Sequence, residues 1–354
     1  MKLKVNKEFL VGIIAVVLGL LAGAILMLLI GSNPLEGYQY MFAGGLMNLE
    51  RFGNTLAMAT PLILTGLSVA FAFRTGLFNI GTPGQVIAGG LLATIVGLSV
   101  DLPKPLLLSL MALVAILGGA VWGIIPGLLK ARFNVHEVVS GIMMNWIAYW
   151  ITNYLVPAYF KGSFETESRH ISDAASLKVD WLTAIFAGSY INLGLFIALV
   201  AVTIVAIILN RTVLGYQLKA VGFNRWAAEY AGIGVNGNIV LSMMIAGALS
   251  GLGGLTLYTG YASSIQIGVM PSIGFDGIAV ALLGATSPIG VVGAAFFFGI
   301  LQSGKGFMNA MTDIPPDIGD VIIAVIIYFA ATSVLIRNLI DGLGRRFQSK
   351  KGGN

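Results

Sequence analysis

Residues 73–90 read FRTGLFNIGTPGQVIAGG. An Arg, an Asn, a Gln, a Pro and repeated Gly stand here in a chain that is 57% hydrophobic and only 10% charged. Soluble domains carry about 25% charged residues, so the chain reads as an all-α polytopic membrane protein. Residues 271–284, PSIGFDGIAVALLG, repeat the same Ile-Gly-x-x-Gly core. Lipid cannot satisfy free backbone N–H and C=O groups. Irregular backbone at depth therefore survives only where protein or a wet cavity surrounds it.

Composition narrows the classes further. There is no Cys, which excludes disulfides, thiol catalysis and Cys-based metal sites. Two distant His make a poor metal site. The net charge of +5 fits the bias of cytoplasmic membrane loops, with no nucleic acid implied. A spanning helix takes about 20 apolar residues. Ten candidates follow: 9–31, 55–73, 85–99, 106–129, 137–157, 191–210, 236–259, 270–285, 288–304 and 319–337. Residues 9–31 are too long for the apolar core of a signal peptide and read as a retained first span.

With the N-terminus inside, most Lys and Arg fall in cytoplasmic segments and the acidic residues lean outward. Both termini are then expected in the cytoplasm. The whole of 1–354 forms one transmembrane domain with spans over 9–337. Residues 158–190 form an extracellular loop, 211–235 a cytoplasmic loop and 338–354 a basic cytoplasmic tail.

Two interrupted segments in corresponding positions of two halves, here spans 2–5 and 7–10, point to a central transport pathway. Gly81 and Gly84 match Gly274 and Gly277, while Asn79, Gln85 and Asp276 supply polar groups beside them. The plainer alternative is ordinary glycine-mediated helix contact. Asp276 has three open readings: substrate contact, structural hydrogen bonding or proton coupling. Asn145, in NVHEVVSGIMMNWIAYW (134–150), either bonds a neighbouring helix or faces the pathway.

In the cytoplasmic loop, LKAVGFNRWAAEYAGI (218–233) suggests a short helix. Asn224 would be its N-cap and Gly232 its C-terminal stop. It would serve either as a docking element or as an interfacial amphipathic helix. GILQSGKG, 299–306, nearly matches a phosphate-binding loop. Gly306 stands where the magnesium-binding hydroxyl belongs, and the context is a membrane helix. That motif is set aside.

Taken in order, FRTGLFNIGTPGQ, NVHEVVSGIMMNWIA, LKAVGFNRWAAEYAGI and GFDGIAVALLGATSPIG resemble the permease subunits of bacterial ABC importers. That family covers ribose, branched-chain amino acid and nucleoside systems, and the first motif is closest to its nucleoside branch. Pro83 departs from the pattern, where Glu is more frequent. The resemblance runs from about residue 55 to 337.

The resemblance implies a type II importer fold of about ten transmembrane helices, with a pseudo-repeat and broken helices. It further implies a place in the bacterial cytoplasmic membrane and translocation of nucleosides by alternating access. It also implies that Lys219, Gly222, Asn224, Ala227, Ala228, Glu229 and Gly232 belong to a coupling helix docked on a cytoplasmic ATPase. The partners would be that ATPase, a second, paralogous permease, an extracellular substrate-binding lipoprotein and membrane lipid. This chain would carry no cofactor, ATP and magnesium residing on the ATPase. The pathway would use Phe78, Asn79, Gly81, Gly84, Gln85, Asn145, Gly274, Phe275, Asp276 and Gly277. The alternatives are the same permease class for a sugar or amino acid, an ion-coupled secondary transporter, or an intramembrane enzyme. The spans show no nucleophile–base or metal constellation for the last.

Overall fold

The computed structural model describes residues 7–332, with side-chain surroundings from residue 11 onward. Among them are fourteen α-helices and no strand. These are α1 (Lys7–Leu29), α2 (Pro34–Leu46), α3 (Leu49–Arg74), α4 (Thr82–Ser99), α5 (Lys104–Phe133), α6 (Glu137–Tyr159) and α7 (Asp180–Ile185). After them come α8 (Gly194–Arg211), α9 (Val213–Phe223), α10 (Arg225–Tyr230), α11 (Val235–Leu255), α12 (Ile273–Leu283), α13 (Pro288–Met311) and α14 (Asp317–Ala331). A π-helical turn, Thr256–Tyr261, extends α11.

Among the described residues, seven helices are long and apolar enough to cross a membrane: α1, α3, α4, α5, α8, α11 with its π extension, and α13. Of the other three expected spans, α6 is long but carries Asn145, Thr152 and Asn153 along its length. Helix α12 has 11 residues. At about 1.5 Å per residue it covers roughly half of a 30 Å hydrocarbon core. Helix α14 is described for 15 residues. The rest of the expected span 319–337, the basic tail 338–354 and residues 1–6 lie outside the described residues.

Helix α3 is the centre of the bundle, with 83% of its most apolar window buried. Leu62, Leu64, Leu67 and Phe71 anchor a core shared with Val280 of α12 and Phe298 of α13. Helices α5 and α11 meet backbone to backbone. A Cβ on Gly119, Gly123, Gly247 or Gly251 would run into the partner helix, which is how small residues let apolar helices approach closely.

At one end of the bundle the chain from 160 to 193 is stitched to the stretch between α11 and α12. Ser168 N donates to Ile265 O (2.9 Å), Ile171 N to Ser263 O (3.1 Å) and Leu177 N to Thr259 O (2.9 Å). At the other end lie α9 and α10.

The expected mid-span breaks are corrected in one respect. Neither glycine pair interrupts a helix. Gly81 is the N-cap of α4 and Gly84 lies in its first turn. Gly274 and Gly277 lie in the first two turns of α12, which runs unbroken through them. The irregular backbone is the stretch ahead of each helix, 75–81 and 262–272. Proline fixes one boundary. Pro83 is in the first turn of α4, where its missing N–H costs nothing. Three helices were not read from the sequence: α2, capped by Asn33, the short α7 within the expected 158–190 loop, and α9, capped by Thr212.

Candidate translocation and coupling site

The start of α4 is held by an enclosed amide network. Asn79 and Gln85 pair reciprocally: Asn79 Nδ2 donates to Gln85 Oε1 at 2.8 Å, and Gln85 Nε2 donates to Asn79 Oδ1 at 3.1 Å. Asn79 Nδ2 also reaches Ser68 Oγ of α3 at 3.1 Å, and Ser250 Oγ of α11 donates to that same oxygen at 2.8 Å. Asn145 of α6 closes the other side. Its Oδ1 accepts from Gly84 N (2.8 Å) and its Nδ2 donates to Ile80 O (2.9 Å).

Asn79, Gln85 and Asn145 are all buried. The orphan N–H and C=O groups of a loop-to-helix junction must be satisfied inside the bundle when no water is present. Asn145 does that work for Gly84 N–H and Ile80 C=O, while Asn79 and Gln85 satisfy each other beside it. The structure thus places them as pins of the α4 junction, turned away from any open surface. Phe78 is half-buried and leans on Phe73, ring centroids 5.3 Å apart.

The start of α12 is built differently. Gly274 sits on Pro83: a Cβ there would stand 2.5 Å from Pro83 Cα and 2.6 Å from its nitrogen. The first turns of α4 and α12 therefore touch through these two residues. Gly277 packs on Thr65 of α3, where a Cβ would come within 2.7 Å of Oγ1. Between them Phe275 is 39% exposed, on the outward face.

Asp276 is buried and accepts from Gln302 Nε2 at 3.4 Å. One turn along α13, Lys305 Nζ bonds Asp320 Oδ1 of α14 at 2.6 Å. Gln302 and Lys305 come from the stretch that mimics a phosphate loop. A polar pair at i, i+3 in an apolar helix was the signal available for them. All four glycines are buried. The apolar cavities open elsewhere: one of about 350 Å³ lies between α4, α5 and α6, lined by Leu91, Trp122 and Ile151. Another, of about 430 Å³, lies beside α1 and is lined by Ile13, Gly290 and Phe297.

At the far end, α10 forms as the local residues dictate. Asn224 Oδ1 accepts from Ala227 N at 3.0 Å. Gly232 takes the left-handed conformation, φ +78°, and Ile233 N returns to Ala228 O at 3.0 Å. Ala228 is buried against Val221 and Met243, while Ala227 and Glu229 are exposed. Lys219 Nζ turns back to Leu209 O and Asn210 Oδ1 at the end of α8, where a cation suits the helix C-terminus. Sequence reasoning missed the aromatics. Phe223 (96% exposed), Trp226 (69%) and Tyr230 (95%) stand out from this short segment. Clustered exposed aromatics beside Arg225 have the composition of a protein-docking surface.

The family model described as "Branched-chain amino acid transport system / permease component" matches residues 51–331. The chain is 42% identical to the guanosine ABC transporter permease protein NupP of Bacillus subtilis (strain 168) over 348 residues, 98% of each chain. It is 40% identical to the nucleoside ABC transporter permease protein NupB of Lactococcus lactis subsp. cremoris (strain MG1363) over 342 residues, 95% of this chain and 94% of that one. It is also 30% identical to the guanosine ABC transporter permease protein NupQ of Bacillus subtilis (strain 168) over 267 residues, 70% of this chain and 79% of that one.

Proposed function

We propose, from the premise that the chain belongs to the branched-chain amino acid transport system permease family, that it is the membrane-spanning subunit of an ATP-driven nucleoside importer. As a member of that family it is a multi-pass membrane transport component and not an enzyme. The observation that carries the nucleoside assignment is near-full-length identity to two permeases named for guanosine and for nucleosides.

In our reading the bundle is a type II importer permease with ten spans, α6, α12 and α14 completing the seven apolar ones. Both termini and the α9–α10 end face the cytoplasm, and the 160–193 end faces outward. Exposed Phe223, Trp226 and Tyr230 support docking of a separate ATPase on α9–α10, with ATP and magnesium held by that partner. NupP and NupQ are two permeases of one organism, both similar to this chain. Their coexistence supports a second, paralogous permease across the pore. A substrate-binding lipoprotein would deliver solute to the 160–193 end.

The route then runs at the seam between the two permeases, along the face that α12 presents. Phe275 offers a ring for a nucleobase to stack on. Asp276 and Gln302 lie just behind it as polar groups for an uncharged, polar solute. Asn79, Gln85 and Asn145 shape the route indirectly by holding the start of α4, and the four glycines allow the close packing that must shift when the site changes access. Rocking of α12 against Pro83 would expose the solute first to one side, then to the other. Weak contacts here suit passage, so affinity resides in the external protein.

The test is uptake of radiolabelled nucleosides by a strain lacking this chain. The expected result is loss of uptake and its restoration by the wild-type gene. Purified alone in liposomes, the chain should move no nucleoside down an ion gradient. Transport by the isolated chain, or a deletion that spares nucleosides and stops sugar or amino-acid uptake, overturns the reading.

A further inference from the structure

We propose that Arg74, with the Thr75–Gly76 turn, is a positioning joint that ties the α9–α10 segment to both glycine-opened helices. The turn is where four structural elements meet. It ends α3, and Gly76 holds it in the left-handed conformation at φ +71°. Its backbone closes on α3 through Gly76 N to Phe73 O (3.0 Å) and Leu77 N to Ala72 O (3.1 Å).

The contact with α9 is backbone on backbone. A Cβ on Gly222 would stand 2.9 Å from Gly76 N and 2.9 Å from Thr75 C. From the other side, a Cβ on Gly76 would lie 3.2 Å from Gly222 Cα. Flexible side chains absorb motion, whereas touching backbones pass it on. Gly222 lies two residues before Asn224, the cap of α10. Val221 and Ala228, on either side of that cap, share a small core with Ala72 and Leu77. A push on α10 therefore reaches the 74–77 turn by two routes, one through Gly222 and one through that core.

From the turn, three connections lead onward. Arg74 donates from Nε (3.2 Å) and Nη2 (3.1 Å) to one carbonyl, Thr286 O, in the turn that follows α12. That turn is itself taut. Ala285 and Thr286 are consecutive non-glycine residues with φ near +51°, a conformation that persists only when its surroundings hold it. Thr75 Oγ1 bonds Ser242 Oγ of α11 at 2.8 Å. Beyond Gly76 the chain runs directly into Asn79 and the amide network at the start of α4. Helix α12 is thus held at both ends, by Pro83 on Gly274 at its start and by Arg74 on Thr286 after its finish. The guanidinium fork suits this grip, since two donors on one oxygen fix an angle that a single ammonium does not.

This inference rests on the transport reading, and its tests separate the two. The complex of permeases, ATPase and binding protein is purified with Arg74→Ala or Arg74→Lys in this chain. Two quantities are read in lipid nanodiscs and liposomes: ATP hydrolysis and nucleoside moved per ATP. Arg74→Ala should leave the complex assembled and basal hydrolysis within about twofold, while transport per ATP falls about tenfold, within the usual range of coupling between sites. Arg74→Lys should recover part of the loss. Unchanged transport per ATP in Arg74→Ala overturns the joint, and so does parallel loss of assembly, hydrolysis and transport.

A second readout is independent of the solute. Because the chain has no Cys, Ser272→Cys gives a single thiol at the start of α12, where Ser272 is exposed. Its maleimide labelling rate should change on ATP binding in the otherwise wild-type complex, and this change should vanish with Arg74→Ala. An ATP-dependent change that survives Arg74→Ala overturns the joint even if nucleosides prove to be the wrong solute. Failure of the wild-type complex to carry nucleosides strikes only the transport reading.

Discussion

The two Ile-Gly-x-x-Gly stretches are alike in sequence and opposite in construction. Around Gly81 the chain is held by side chains: the Asn79–Gln85 pair and Asn145 satisfy the junction with specific hydrogen bonds. Around Gly274 it is held by shape: backbone presses on Pro83, and the Gly277 face presses on Thr65. One region is a hydrogen-bonded pin, and the other is a close-packed contact, which slides in the mechanism proposed above. A glycine motif in a membrane helix therefore reports close approach, and its partners decide whether that approach is fixed or movable.

The sharpest test compares the same position in the two motifs. At Gly81 an added methyl meets Asn79 Oδ1 and Gly141 Cα at 3.4 Å, which is ordinary contact, and the backbone φ of −76° suits alanine. Gly81→Ala should be close to neutral, with a gain of up to about 1 kcal/mol from reduced unfolded-chain entropy. At Gly274 the same methyl meets Pro83 backbone atoms at 2.5 and 2.6 Å. Gly274→Ala should cost about 1–3 kcal/mol of stability as overpacking does, and it should reduce nucleoside transport far more than Gly81→Ala. Thermal unfolding of each purified variant together with uptake measures both. Equal effects at the two positions would break the contrast between pin and sliding contact.

The pin itself gives the second test, one of stability alone. Asn145→Ala removes the partner of Gly84 N–H and of Ile80 C=O at once. Each buried group left unsatisfied costs about 1–3 kcal/mol, so the folded state should lose on the order of 2–4 kcal/mol. Solute preference among nucleosides should stay as it was, since the amide faces inward. A variant that keeps its stability and changes its preference would make the first region a binding surface.

How much of this was legible beforehand depended on how local the physics was. The cap at Asn224 and the stop at Gly232 were readable because both are settled within a few residues: an Asx side chain bonds two or three positions on, and glycine tolerates positive φ. The long spans were readable from apolar runs alone. The glycine pairs were read as breaks, but they stand in the opening turns of α4 and α12. From sequence, a glycine that opens a helix looks the same as one that interrupts it, and only the tertiary contacts with Asn145, Pro83 and Thr65 distinguish the two. Asn79, Gln85 and Asn145 were picked for their polarity, but nothing in the chain order shows that they satisfy one another. Arg74 was counted only for its charge, because its acceptor lies 212 residues away. Helix α9 escaped notice because its buried stripe is only Gly215, Leu218 and Val221, too short to stand out within a polar loop.

The smallest expected effect concerns the two aromatics, which repeat the comparison at the level of single rings. Phe78 follows the first turn and is half-buried against Phe73, while Phe275 follows Gly274 and stands outward. Phe78→Ala removes a packed ring and should lower thermal stability with little change in transport rate per folded complex. Phe275→Ala removes a ring that covers little protein, so stability should hold. Loss of one stacking partner, about 1 kcal/mol, should lower the maximal rate of nucleoside transport about fivefold. Phe275→Tyr should keep both stability and rate, since it preserves the ring. If Phe275→Ala instead unfolds the chain and leaves the rate of the residual folded fraction unchanged, the outward face of α12 is a packing surface. The route would then have to be sought along a different helix.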